Sequence, residues 1–324
     1  MSAEGTTAEQ VTADEVAAFL AGRPGGARDL EPLTGGAWSS AWAYRTGSQE
    51  RVVRFGREPA WYEADRLATA FAGPDLPVPH VEDVGTMPSG RAYAISIRHH
   101  GRFLEDTPTE LAGALAPTLT RLLVALYRAP ARPADAVVWH QPATSPRSWR
   151  DFLLSGLADE PDDLVHGWSA ALAADRELAA LSAAVTNRIT ELVSACPERR
   201  DLVHGDLLHG NVLVSADATR VNAVLSWKCS VRGDFLFDAA WCSFWSSFHP
   251  GIAAAEPLAS LLADPQVRAD ADALRDAAAR HHCYELHIGF THLGWNVWTG
   301  NQEALAATAA RLAEVYERGP LPIG

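Results

Sequence analysis

The sequence predicts an α+β chain in two lobes, a smaller β-rich lobe over residues 1–98 and a larger helical lobe over residues 99–324. Three observations carry this reading. β-prone runs bounded by glycine and proline follow one another before residue 98. Leucines recur at spacings of three and four from Leu111 onward, the period of an amphipathic helix. The chain has 324 residues, 48% of them apolar, which is enough to bury a large core. No internal repeat or low-complexity segment interrupts the pattern.

In chain order, Thr12-Ala13-Asp14-Glu15 is a capping box opening a short helix whose apolar face is Val16, Phe19 and Leu20. Arg23-Pro24-Gly25-Gly26 ends it. Residues 30–44 are β-prone around Thr34-Gly35-Gly36-Ala37-Trp38-Ser39-Ser40. Glycines in such a turn let backbone N–H groups approach a phosphate, although an ordinary hairpin loop has the same composition. Arg51-Val52-Val53-Arg54-Phe55 is the next strand. Residues 61–71 read as a helix with Glu63, Leu67 and Phe71 on one face. Residues 81–85 and 91–97 add strands, followed by Arg98-His99-His100-Gly101. The two histidines have no metal-ligand partner at a useful spacing and read as exposed side chains.

The second lobe opens with a helical pattern over residues 107–129, then a proline-rich exposed connection over 129–146. Residues 149–157 and 164–196 are helical again, separated by the acidic run Asp159-Glu160-Pro161-Asp162-Asp163, which reads first as a solvated loop. Residues 239–248 carry Trp241, Phe244, Trp245 and Phe248 at helical spacing, mostly core, with one of them free to stack on a sugar. Helical patterns over 256–262, 268–298 and 302–317 complete the lobe. His281 and Glu285 share a helix face, but the spacing of a zinc-binding H-E-x-x-H motif is absent.

Between these helices lies the stretch around which the chain is organised, residues 202–238. His204-Gly205-Asp206 is followed five residues later by Asn211, and then by two short apolar runs joined by the polar turn 215–220. That is an antiparallel hairpin, expected to bring position 226 beside Asn211 with Asp206 just ahead of the first strand. A carboxylate and an amide so arranged suit phosphoryl transfer, in which an Asp takes the proton of the attacking hydroxyl and an Asn holds Mg²⁺. A second metal-holding Asp belongs in such a site, and position 226 is Ser.

The net charge of −13 disfavours nucleic acid and anionic membranes as partners and suits a small cationic or hydroxylated substrate. No run of eighteen apolar residues occurs and the first ten residues lack a basic, apolar leader, so a soluble cytoplasmic protein is expected. Four widely spaced cysteines without a C-x-x-C pair fit a reducing compartment. Lys228 is the only lysine, so roles that lysine fills elsewhere fall to arginine.

His204-Gly205-Asp206, Asn211, Val224-Leu225-Ser226-Trp227, Gly233-Asp234 and Asp238, with Trp149-Arg150-Asp151-Phe152 upstream, resemble the aminoglycoside phosphotransferase and choline kinase-like family, nearest to its hygromycin B phosphotransferases. The resemblance implies a protein kinase-like fold with a nucleotide-binding first lobe and a catalytic, substrate-binding second lobe. It implies ATP or GTP and Mg²⁺ as cofactors, and we expect a monomer or weak dimer. By it, Asp206 is the base, His204 orients the loop and Asn211 holds the metal with position 226, the family's Asp. Gly35, Gly36 and Ser39 lie over the phosphates, and Arg98 lies at the hinge. Arg54 replaces the family's phosphate-binding lysine, with Glu63 as the acid that pairs with it and Asp65 as the alternative. The rival expectation is a non-catalytic binding protein, because a serine hydroxyl is a poor Mg²⁺ ligand. If the strand ran on, Lys228 would share the face of Ser226 and bring its own positive charge there.

Overall fold

The computed structural model describes residues 11–34, 36, 38–130 and 148–322. Gly35 and most of the predicted 129–146 connection lie outside them. In the first lobe, α1 (Ala13–Ala21) opens with the expected capping box: the Thr12 side chain accepts from Glu15 N–H and the Glu15 carboxylate accepts from Thr12 N–H. Val16 and Leu20 of α1 pack on Tyr44, Val53, Phe55 and Ile95 of a five-stranded antiparallel sheet. Its strands are β1 (Arg28–Leu33), β2 (Ser40–Thr46), β3 (Gln49–Gly56), β4 (Val81–Thr86) and β5 (Ala92–Ile97), in the order β1-β2-β3-β5-β4.

Between β3 and β4 runs α2 (Pro59–Ala68), with Pro59 supplying the fixed φ favoured in a first turn. Its buried face is Trp61, Tyr62, Ala64, Asp65 and Ala68, whereas Leu67 is 36% exposed. The face expected from Glu63 and Leu67 is therefore the outer one. The helix turns its aromatic residues inward and carries Asp65 in with them.

The chain then crosses through β6 (Arg102–Phe103) into small sheets formed with β7 (Asp201–Val203), β8 (Val212–Val214), β9 (Val221–Val224) and β10 (Val231–Gly233). One sheet is β6-β8-β9 and the other β10-β7. The crossing is tied to the hairpin by the Asn222 amide, which donates to His100 O at 2.8 Å, and by the His99 ring on Asn222 O at 2.9 Å. The predicted hairpin is present, with its register one residue off the expectation. Val212 pairs with Val224, and Leu225 N–H donates to Asn211 O at 2.7 Å. The strand does not continue through 226. Ser226 turns left-handed (φ 61°, ψ 66°) and residues 227–229 form a single 3-10 turn.

The second lobe is helical: α3 (Ala112–Tyr127), α4 (Trp149–Ser155), α5 (Ser169–Ala174), α6 (Arg176–Leu192), α7 (Leu236–Trp245), α8 (Pro250–Ala255), α9 (Pro257–Ala263), α10 (Pro265–Arg268), α11 (Ala271–Leu274), α12 (Ala277–Thr299) and α13 (Gln302–Arg318). Two predicted helices are broken. Asp175 ends α5 and caps α6 through Glu177 and Leu178 N–H, and Asp276 (φ 52°) separates α11 from α12. Residues 109–127 are long and apolar enough to cross a membrane, but the leucines of α3 from Leu115 to Leu126 are buried in this lobe's core. All of α7 is buried, against α12 and α9. Asp234, immediately before α7, accepts from the Arg280 guanidinium at 2.6 and 2.7 Å and from the Tyr284 hydroxyl at 2.6 Å. The Trp149 indole donates to Tyr284 Oη at 3.0 Å, so α4, α7 and α12 meet at one buried charge pair. Gly233 is required here because a Cβ would overlap the Trp149 ring.

Candidate active site

The loop after β7 is positioned from below by Asp238, in the first turn of α7. Its two carboxylate oxygens accept from His204 N–H (2.8 Å) and Gly205 N–H (2.9 Å). Burial raises the Asp238 pKa, which His204 and these two N–H groups oppose. The His204 ring fixes the next link. Its Nδ1 accepts from Asp206 N–H at 3.2 Å, so Nε2 carries the proton donated to Leu225 O at 2.9 Å. Gly205 lies at φ 77°, and a Cβ there would sit 2.7 Å from Cys229 O. The Asn211 amide closes the loop by donating to Asp206 O at 2.9 Å. Asp206, Asn211 and His204 are thus brought together by their own hydrogen bonds.

His209, which the sequence reading passed over, covers the catalytic candidate. Its Nδ1 lies 2.9 Å from Asp206 Oδ1, and its backbone is left-handed at φ 61°. Burial disfavours the charged ring, but the Asp206 carboxylate outweighs it and the His209 pKa is raised. The imidazole lies edge-on to Trp245 and Trp241 at 5.1 and 5.9 Å, and His292 stands 4.9 and 5.1 Å from the same two indoles. Burial drops the His292 pKa to about 4, so His292 adds a neutral ring to the two indoles. The cleft also has acidic lining. Glu160, Asp162, Asp163 and Glu303 line the cleft, whereas Asp159 is spent on Gly167 and Ser169 N–H.

Arg54 on β3 reaches the same cleft and pairs with Asp65. Glu63, the first choice for this partner, instead pairs with Arg66 on the helix surface. Asp65 does more than balance a charge: its Oδ1 accepts from Trp227 N–H at 2.7 Å, coupling α2 to the turn after Ser226. Gly36, Ser39 and Arg98 line the cleft, and the Arg98 guanidinium rests on Glu31 at 2.9 Å. The cleft between the lobes measures about 2990 Å³.

The residues at the expected metal position do not fit Mg²⁺ well. This hard cation prefers carboxylate oxygens. Asn211 and Ser226 offer neutral oxygens, Asp65 is engaged by Arg54 and Trp227, and Asp206 by His209. Among the described residues no three His, Cys, Asp or Glu side chains converge to hold a metal ion. What stands beside this position is Lys228. Its Nζ is buried with no hydrogen-bond partner among the described residues, 3.8 Å from the centroid of Trp38 and 4.8 Å from that of Trp61. Burial lowers its pKa to about 8, against the pull of Asp206 and Asp65, so it remains cationic at neutral pH.

The signals for His209, Asp65 and Lys228 were present as residue types but not as contacts. Each acts through a neighbour that only folding supplies.

A model of the phosphotransferase enzyme family matches residues 29–287. A hygromycin-B 4-O-kinase from Escherichia coli is 27% identical, the match covering 97% of this chain and 88% of that protein. Among solved structures, a thermostable mutant of aminoglycoside phosphotransferase APH(4)-Ia, in ternary complex with AMP-PNP and hygromycin B, superposes with a TM-score of 0.75 at 25% identity, covering 93% of this chain and 98% of that one. Aminoglycoside phosphotransferase APH(4)-Ia itself gives a TM-score of 0.78 at 24% identity, over 96% and 100%.

Proposed function

The chain belongs to the phosphotransferase enzyme family, with a protein kinase-like fold, and on that premise we propose that it moves the γ-phosphoryl group of ATP or GTP to a hydroxyl of an aminoglycoside of the hygromycin B kind. The observation that carries this reading is the Asp206 loop. The backbone of Asp206 is held by His204 and Asn211, with Asp238 anchoring His204 and Gly205, and its carboxylate lines a cleft shared with Arg54, Trp241, Trp245 and the acidic residues Glu160, Asp162, Asp163 and Glu303.

In the reaction, the acceptor hydroxyl oxygen attacks the γ-phosphorus while its proton passes to the Asp206 carboxylate, and the β–γ bridging oxygen leaves with the nucleoside diphosphate. Before this, the proton-bearing His209 side chain must yield Asp206 Oδ1 to the substrate, since both need the same lone pairs. Arg54, held by Asp65, offers paired N–H groups to phosphate oxygens. Glu160, Asp162, Asp163 and Glu303 attract ammonium groups of the acceptor, and the little of Trp241 and Trp245 that reaches the cleft offers an apolar contact for a sugar ring. The site works in the cytoplasm, on a monomer or weak dimer, where nucleotide and drug meet.

The second reading is a kinase-like binding protein with impaired transfer, favoured by Ser226 where the family has its metal-holding Asp. Release of nucleoside diphosphate, measured across aminoglycosides beginning with hygromycin B, separates the two. Drug-stimulated release supports the transferase. Saturable drug or nucleotide binding with no release supports the binding protein.

A further inference from the structure

Lys228 presents a problem in simple electrostatics. An ammonium taken out of water without a hydrogen-bond acceptor is unfavourable, yet the Nζ of the chain's only lysine is buried on the wall of the cleft with no acceptor among the described residues. The π faces of Trp38 and Trp61 stabilise it only in part, since such contacts do not replace the lost hydration of an ammonium. Trp38 belongs to the glycine-rich turn before β2, and it also lies against Trp295 and Trp298 of α12 at 4.7 and 5.8 Å. The ammonium is therefore held against Trp38 on the wall of the cleft, two residues from Ser226, with the Asp206 and Asp65 carboxylates acting on its charge. The left-handed Ser226 and the 3-10 turn after it put Lys228 there; an extended strand would not.

Two departures coincide at this place. The carboxylate that would hold a divalent cation is absent at 226, and a fixed positive charge stands at 228. An ammonium disfavours a divalent cation beside it and favours phosphate oxygens in the same volume. Accepting the phosphotransferase reading above, we infer that Lys228 is a phosphate-contacting residue, its ammonium leaving the Trp38 and Trp61 faces to neutralise the nucleotide's phosphates where a carboxylate-held cation would otherwise do so.

The test is calorimetric titration with AMP-PNP and GMP-PNP, each with Mg²⁺ and with EDTA, on the full chain and three variants. The unaltered chain is expected to bind within ~5-fold as tightly in EDTA as in Mg²⁺. Lys228→Met, which keeps the stem length, should lose roughly 10–100-fold in both conditions, the range for a charge-assisted contact. Lys228→Arg retains the charge and should stay within ~5-fold, which separates loss of the charge from loss of the fold. Ser226→Asp should make affinity depend on Mg²⁺ by ~10-fold or more. Unchanged affinity of Lys228→Met in both buffers overturns the inference and leaves Lys228 as packing for Trp38. So does an unaltered chain that needs Mg²⁺ by more than ~30-fold, although the phosphotransferase reading survives either result. If the unaltered chain binds neither nucleotide, that reading fails and this inference fails with it.

Discussion

Asp65→Ala removes at once the partner of Arg54 and the acceptor of the Trp227 N–H. The two charged side chains are 18% and 6% exposed, so the pair lies beyond the reach of most solvent screening. Breaking a buried pair by deleting one member leaves the other charge unpaired and costs about 3–5 kcal/mol. The orphaned Trp227 N–H adds to this, though not independently, because one carboxylate serves both. The expected loss of stability is therefore ~3–5 kcal/mol. Glu63→Ala is the matched control: its pair with Arg66 is 41% and 52% exposed, and such surface pairs contribute about 0–1 kcal/mol. Urea unfolding followed by circular dichroism, with a common m-value, reads both variants. Asp65→Ala should also weaken nucleotide binding, because Arg54 loses its support and the 226–229 turn loses its tie to α2. If both variants fall within ~1 kcal/mol of each other and nucleotide affinity is unchanged, Asp65 is not the organising acid.

Asp206→Asn should lower turnover roughly 100- to 10,000-fold, the range for losing a general base, while AMP-PNP affinity stays within a few-fold; unchanged turnover removes Asp206 from the chemistry. Arg54→Ala should weaken AMP-PNP binding by about 10-fold or more, since no lysine stands nearby on β3 to replace its contacts; equal affinity refutes the assignment. Buried His282 and His287 have their pKa values lowered to about 4, with loss of hydration the leading cause. Because the folded values lie below the unfolded value near 6.5, unfolding takes up protons, and stability present above about pH 6.5 is lost as pH falls toward 4. The two together add about 2.7 kcal/mol per pH unit to the slope in that window, and His282→Gln/His287→Gln should flatten it in urea titrations at pH 6.5, 5.5 and 4.5; an unchanged slope refutes their role. Gly233→Ala must displace the Trp149 ring, so a loss of about 1–3 kcal/mol is expected, and a neutral result would mean that α4 is loosely seated.

The sequence by itself determined what depends on local order along the chain. The capping box at Thr12, the β8–β9 hairpin, the leucine face of α3 and the Asp206–Asn211 spacing all arise from neighbours a few residues apart. The ordered set from His204 to Asp238 was enough to indicate the family, which the match over residues 29–287 bears out. Tertiary structure decided everything that depends on which face turns inward or where a strand stops. Glu63 and Asp65 are two residues apart on one helix, and only the burial of Trp61 and Tyr62 sends Asp65 inward to Arg54 and Trp227. Strand alternation carried past Leu225 would have left Ser226 and Lys228 on a common strand face. The left-handed turn at Ser226, tied down through Trp227 N–H, ends the strand and folds the lysine beneath Trp38. His209 stands 2.9 Å from Asp206 on a left-handed backbone, a conformation uncommon outside glycine that no local pattern in the sequence announced. Such contacts join partners far apart along the chain, 162 residues for Asp65 and Trp227, and no period in the sequence encodes that distance.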